Sequence, residues 1–209
     1  AGMFGMFFLG ALYLQRVLEY SPLEVGLAFL PTTIVMGGLS LGFSEKLIMR
    51  FGPRTTLIPG VCLVVVALLL FARTPVDGDY LTDLLPPFLL IGVGVGTSFP
   101  AIMTLAMSGA TPEDAGLASG LVNTSMQVGG SIGLAVLATL STERTSSLLA
   151  DGEGQLQALN SGYHVAYLIG AGLAATAVAI AVFVLRAPQP AAMPAQEEGQ
   201  PEPALSEVA

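Results

Sequence analysis

The sequence predicts an all-α membrane protein with six transmembrane helices, and three observations carry that prediction. Positions 1–15, 25–44, 55–72, 84–112, 115–142 and 154–185 hold no Asp, Glu, Lys or Arg. Charged residues make up 11% of the chain, against about a quarter in a soluble domain. Hydrophobic residues make up 53%, and the mean hydropathy is +0.76. A span needs roughly 20 mostly apolar residues to cross about 30 Å of hydrocarbon. A soluble helix bundle could bury one or two such windows, but not six in succession.

The helices are expected near 1–18, 22–44, 55–72, 84–108, 113–140 and 161–185. The first window is short and begins without Met, so it reads as a helix cut by the fragment boundary. It lacks the basic region and cleavage site of a signal peptide. Helix 2 opens on Ser21-Pro22-Leu23-Glu24-Val25-Gly26-Leu27-Ala28, and helix 5 on Thr111-Pro112-Glu113-Asp114-Ala115-Gly116-Leu117-Ala118. Each offers a hydroxyl cap, Pro at the first helical position and an acid at the third. One reading is convergence on good capping. The other makes helices 1–3 and 4–6 copies that run in opposite directions through the membrane, a 3+3 inverted repeat.

Between the helices little chemistry is available. Lys46, Arg50 and Arg54 crowd the loop after helix 2 and Arg186 follows helix 6, whereas Arg16, Arg73 and Arg144 are spread over three other loops. Positive charge in short loops marks the cytoplasm. Residues 46–54 and the C-terminus are therefore expected inside, with 73–82 and 142–160 outside. Residues 187–209 are Pro, Ala, Gln and Glu in low-complexity order, and are expected as a disordered cytoplasmic tail beyond a 1–186 bundle. The net charge of −8 comes from loops and tail, and no basic patch suggests nucleic acid. Cys62 is alone, which excludes disulfides and cysteine metal sites and leaves it a small packing residue.

Glycines recur four apart at Gly38/Gly42, Gly92/Gly96, Gly116/Gly120 and Gly129/Gly133. That spacing lets helix backbones approach closely in lipid. Gly92-Val93-Gly94-Val95-Gly96 lacks a preceding strand and lies in a charge-free window, so helix packing is preferred over a nucleotide loop. Pro100 removes a backbone donor and is expected to kink helix 4. On helix 5, Gly116, Gly120, Asn123, Gln127 and Gly130 share one face, and Leu117, Leu121, Val128 and Ile132 another. Asn123 and Gln127 lie about 12 and 18 Å into the helix, near the bilayer midplane. Amides at that depth either bond to neighbouring helices or face a watery cavity. The loop Glu45-Lys46-Leu47-Ile48-Met49-Arg50-Phe51-Gly52-Pro53-Arg54 reads either as a solvated anchor or as a latch, in which Arg50 and Arg54 reach carbonyls or acids at helix ends.

Taken together, Tyr13-Leu14-Gln15, Ser21-Pro22 with Gly26-Leu27-Ala28-Phe29-Leu30-Pro31, Arg50-Phe51-Gly52-Pro53-Arg54, and Ala115-Gly116-Leu117-Ala118-Ser119-Gly120 with Asn123-Thr124, Gln127 and Gly129-Gly130 resemble the major facilitator superfamily. Within it, they resemble the C-terminal half of fourteen-span drug:proton antiporters of the EmrB/QacA type. Where the family's cytoplasmic loop motif has a Gly at its opening and an Asp before the Arg, this chain has Glu45 and Met49. The resemblance implies alternating-access efflux of amphipathic small molecules driven by proton entry, in an inner cell membrane and without a cofactor. It implies as partners the N-terminal helices of the same transporter, the lipid bilayer, a small-molecule substrate and protons. The substrate-path candidates are Asn123, Gln127, Phe99 and Tyr13, and the latch residues are Arg50, Gly52 and Arg54. No spanning window holds an Asp or Glu, so the proton-carrying acid is expected upstream. A sensor or assembly protein that transports nothing is the alternative. An intramembrane serine protease built on Ser119 and His164 is excluded, because the two start helices from opposite sides of the membrane and the residue two before the serine is Leu117.

Overall fold

A computed structural model describes residues 1–111 and 113–184, and every regular element among them is helical. The elements are α1 (Gly2–Arg16), α2 (Pro22–Gly38), α3 (Ser44–Phe51), α4 (Pro53–Phe71), α5 (Leu85–Met107), α6 (Ala115–Ala150) and α7 (Gln155–Phe183). A π-helical turn, Leu39–Phe43, joins α2 to α3 without a break, and another, Tyr80–Leu84, leads into α5. Five rods are long and apolar enough to cross a membrane: Pro22–Phe51, α4, the rod Tyr80–Met107, α6 and α7. The sixth, α1, has 15 residues, short of the ~20 that a span takes. The chain is a multi-pass membrane protein.

Helix starts follow local chemistry. At α2 the Ser21 backbone N–H donates to Glu24 Oε2 (2.7 Å) and the Glu24 N–H donates to Ser21 Oγ (3.4 Å), which closes a capping box. The similar segment at 111–118 behaves differently. There Thr111 Oγ1 donates to Asp114 Oδ2 (3.1 Å) and the Asp114 N–H returns to Thr111, a closed turn, so α6 begins only at Ala115. The two segments share a sequence pattern but not a cap.

Two expected loops are largely helix. Residues 44–51 form α3, which ends at Gly52. That residue has φ +84° and ψ 157°, a region essentially restricted to glycine. A Cβ on Gly52 would meet nothing within 4 Å, so the demand is purely one of backbone conformation. The loop expected over 142–160 shrinks to 151–154, because α6 continues to Ala150 and α7 starts at Gln155. Glu153 N–H bonds Leu148 O, and Gly152 N–H, at φ +88°, bonds Leu149 O. These two bonds form a Schellman ending. The hairpin beyond is tight: a Cβ on Gly162 would fall 2.5 Å from Ser141 O, and Thr145 Oγ1 sits between Ser141 O (2.9 Å) and Ala158 O (3.3 Å). At 36 residues α6 is about 54 Å long, far more than one bilayer crossing. Residues 141–150, with Glu143 and Arg144, are part of this one continuous helix.

The bundle is organised around α5, which packs against α4 on one side and α2 on the other; α7 packs on both α4 and α6, and α1 lies against α6 and α7. Met6, Leu9 and Leu14 of α1, Phe71 of α4, Phe88 and Ile91 of α5, and Tyr167 of α7 form the buried centre. Its aromatic rings meet mostly edge to face, with Phe29–Phe88 at 4.9 Å and Phe71–Phe88 at 5.0 Å, while Phe71 and Tyr167 stack at 5.3 Å. Those are the separations at which ring quadrupoles attract. Cys62, expected as a packing residue, is instead exposed on α4, because the buried stripe of that helix runs through Gly60, Val64, Ala67, Leu68 and Phe71. Residues 185–209, including the expected tail and Arg186, lie outside the described residues.

Candidate functional site

Glycines set the closest approaches. On α5, a Cβ at Gly92 would fall 2.8 Å from Thr32 O, and one at Gly96 would fall 2.9 Å from Met36 O, both on α2. On the opposite side, a Cβ at Gly94 would lie 2.7 Å from Gly60 O of α4. The Gly-Val-Gly-Val-Gly run is therefore a two-sided packing strip, which removes the nucleotide-loop reading.

Pro100 completes this strip. Having no N–H, it leaves the Gly96 carbonyl without its helical donor, in a setting where water cannot substitute. Ser44 Oγ (2.7 Å) and Ser40 Oγ (3.1 Å) both donate to that carbonyl. The two serines stand four apart across the π-turn, and Ser44 is fully buried. Sequence reasoning missed them. The available signal was a Ser-x-x-x-Ser pair combined with a proline four residues after a glycine.

The four path candidates are not gathered into one pocket. Tyr13 is 2% exposed; its hydroxyl donates to Pro75 O at 2.6 Å, and its ring meets Tyr163 edge-on at 6.5 Å. It anchors the α4–α5 connection to α1 and presents no open face. Phe99 is exposed on α5 beside Pro100. Asn123 and Gln127 are exposed on α6, where Asn123 Nδ2 donates back to Ser119 O at 3.0 Å and Ser131 Oγ to Gln127 O at 2.6 Å. From Ala115 to Gly129 no residue of α6 is buried. Only a narrow stripe, Ala115, Ala118, Val122 and Met126, leans toward the bundle, and it continues as the buried Gly130, Gly133, Leu137 and Ser141. Gly130, placed by sequence with the amides, is instead covered by the Phe4 ring. Gly116, Gly120 and Gly129 have nothing near the position of a Cβ, and the same holds for Gly38 and Gly42 on α2 and its π-turn.

The basic segment divides its work. Arg54, at the start of α4, donates from Nε to Ala181 O at 3.1 Å and from Nη2 to Val182 O. It thus caps the C-terminal end of α7, where unpaired carbonyls and the helix dipole favour a cation. Arg50 reaches no such end; it is exposed, with its guanidinium 5.2 Å from the centre of the Phe51 ring. Gly52 sets the angle between α3 and α4.

At the far end of the bundle, the Thr74 carbonyl accepts from Asn160 Nδ2 at 2.9 Å and from His164 Nε2 at 2.8 Å, which ties α7 to the end of α4. Ser119 sits some 22 residues, or about 33 Å, along α6 from the level of Ser141, which packs beside α7 near His164. No nucleophile and base meet there. Among the described residues, no group of three or more His, Cys, Asp or Glu is placed to hold a metal ion.

Apolar rods long enough to span a membrane, glycine-mediated contacts and a polar face on one half-packed helix make this a helical multi-pass membrane bundle. Residues 1–134 match the family model of the Major Facilitator Superfamily, and the chain belongs to that superfamily. It is 39% identical over 155 residues to a puromycin resistance protein of Streptomyces alboniger, an alignment covering 72% of this chain and 30% of the relative. It is 35% identical over 176 residues to a cephamycin export protein of Amycolatopsis lactamdurans, covering 84% and 34%. It is 36% identical over 148 residues to a tetracenomycin C resistance and export protein of Streptomyces glaucescens, covering 70% and 27%. The chain spans about a third of the length of these relatives.

Proposed function

We propose that this chain is the C-terminal half of a drug:proton antiporter, six spans in 3+3 inverted order, and that it supplies one wall of a cavity between two bundles. The whole transporter exports amphipathic small molecules by alternating access, with proton entry as the driving force. Relatives named for antibiotic resistance and export support the substrate class, and their greater length supports a partner bundle in the same polypeptide. The observation that carries the reading is the open stretch of α6, where a Cβ on Gly116, Gly120 or Gly129 would meet nothing within 4 Å and the Asn123 and Gln127 side chains are exposed. Amides left against hydrocarbon are costly, and a second bundle across a watery cavity relieves that cost. In this arrangement residues 46–54 and the C-terminus face the cytoplasm across the inner cell membrane. Arg54 holds the end of α7, and Arg50 biases the state populations without touching substrate.

The charge-free centres of the spans support a proton-carrying acid in the upstream bundle. The test is reconstitution of residues 1–209 in liposomes under an imposed pH gradient, beside the same residues joined to their upstream bundle. Coupled movement of a cationic dye is expected only from the longer polypeptide. Coupled movement from residues 1–209 alone would sink the half-transporter reading.

A further inference from the structure

The basic row of α3 borders a groove that the transport reading does not use. Leu47 and Phe51, one turn apart on α3, close one end of an apolar cavity of about 310 Å³, a size typical of small-molecule pockets. The cavity continues between α4 and α5, past Pro59, Gly60, Leu63 and Val93. Its lining hydroxyls include two already committed: Thr56 Oγ1 donates to Gly52 O, and Thr97 Oγ1 to Val93 O. What the groove offers along its length is therefore hydrocarbon contact. Thr55, Pro59 and Leu63 follow one another at four-residue intervals, so the groove runs about 12 Å along α4, which is long and apolar enough to span.

Charge is confined to the α3 end. Lys46 and Arg50, also one turn apart, form the row beside Leu47 and Phe51, and both are exposed. Arg50 already lies over the Phe51 ring that closes the groove. Glu45 sits about 200° round the helix from Leu47 and is turned away. Arg54 is committed to the carbonyls of α7.

A cationic rim at the end of a membrane helix, opening onto an apolar groove directed along that helix, matches one shape of ligand. We propose that this groove binds an anionic phospholipid, with its phosphate on Lys46 and Arg50 and an acyl chain lying along Pro59 and Leu63. The rim repels an amphipathic cation, so the groove is distinct from a path for such drugs. The inference rests on the membrane embedding of α4 and not on transport.

Native mass spectrometry of the chain released from mixed phosphatidylglycerol and phosphatidylcholine nanodiscs tests it, with no pH gradient applied. Phosphatidylglycerol should be retained preferentially. The double substitution Lys46→Gln, Arg50→Gln should weaken that preference by about fivefold per cation, and Arg50→Lys with Lys46 intact should keep most of it. Thr55→Trp, at the exposed edge of the groove, should lower retention while leaving the cations in place, and glycerol 3-phosphate should not compete. Equal retention of the two lipids, no effect of the double substitution, no effect of Thr55→Trp, or displacement by glycerol 3-phosphate would each overturn the proposal. Absence of coupled dye movement from the longer polypeptide, with lipid retention by this chain intact, would count against the transport reading alone.

Discussion

The same sequence device, glycines four residues apart, has opposite surroundings in two parts of this molecule. On α5, Gly92 and Gly96 press against backbone oxygens of α2, and Gly94 between them presses against α4. On the first half of α6, Gly116, Gly120 and Gly129 face open space. Small residues at this spacing make a helix able to approach another closely. They do not say which helix, or whether it belongs to the same bundle. The contrast separates glycines that build this bundle from glycines that meet nothing within it.

The contrast breaks most sharply at Gly94. A side chain there meets Gly60 O at 2.7 Å and the Val64 backbone nitrogen at 3.1 Å, and neither backbone can swing aside as a flexible side chain could. Gly94→Val should force α4 and α5 apart and cost about 3 kcal/mol or more. The expected result is little folded protein in the membrane, read by detergent-resistant folded fraction. Wild-type stability in this variant would mean that the α4–α5 contact is looser than described.

A smaller effect belongs to Gly52, where the demand is conformational and not steric. Gly52→Ala places a Cβ in open space but at φ +84°. The expected loss is about 1–3 kcal/mol, measured by unfolding in mixed micelles, with the α3–α4 angle altered. An unchanged midpoint would show that the turn relaxes freely. Smaller again is Ser44→Ala, expected to cost about 1 kcal/mol because Ser40 still donates to the carbonyl that Pro100 leaves unpaired. Pro100→Ala should reduce that penalty, since it restores the helical donor to Gly96 O. A double-mutant cycle with no coupling between the two positions would remove the proline–serine link.

Much of this architecture was legible because charge-free windows translate directly into apolar rods: the observed α4 (Pro53–Phe71) and α5 (Leu85–Met107) fall within two residues of the expected bounds. The ends of α6 and α7 were not legible, because Ser141–Ala150 is polar enough to resemble a loop. It stays helical by packing Ser141 and Thr145 against Gly162, a contact 17 or more residues away in sequence. The short form of α3 was hidden for the opposite reason: its charges mark the water boundary but do not stop a helix, and only Gly52 does. At the candidate site, the exposure of Asn123 and Gln127 is consistent with their polarity, whereas Tyr13 reads the same in sequence whether it lines a path or anchors a loop. Its bond to Pro75 O spans 62 residues and has no local signature.

The smallest expected effect is the most informative, and it lies at Gly120. In the chain by itself a Cβ there meets nothing within 4 Å. Valine also has a somewhat better helix propensity than glycine, by a few tenths of a kcal/mol. Gly120→Val should therefore leave the stability of residues 1–209 within about 0.5 kcal/mol of wild type, or raise it slightly. In a polypeptide that includes the upstream bundle, the same valine should push apart whatever backbone approaches this face, lowering both stability and export. Gln127→Ala serves as the companion substitution, because it removes an amide without adding bulk. It should alter the spectrum of exported compounds while leaving the amount of protein in the membrane unchanged. If Gly120→Val is neutral in both polypeptides, the open glycines of α6 face only lipid or water, and the distinction between its first half and α5 is one of packing density alone. If it destabilises residues 1–209 by themselves, α6 closes against its own bundle, and the face assigned to a partner is internal.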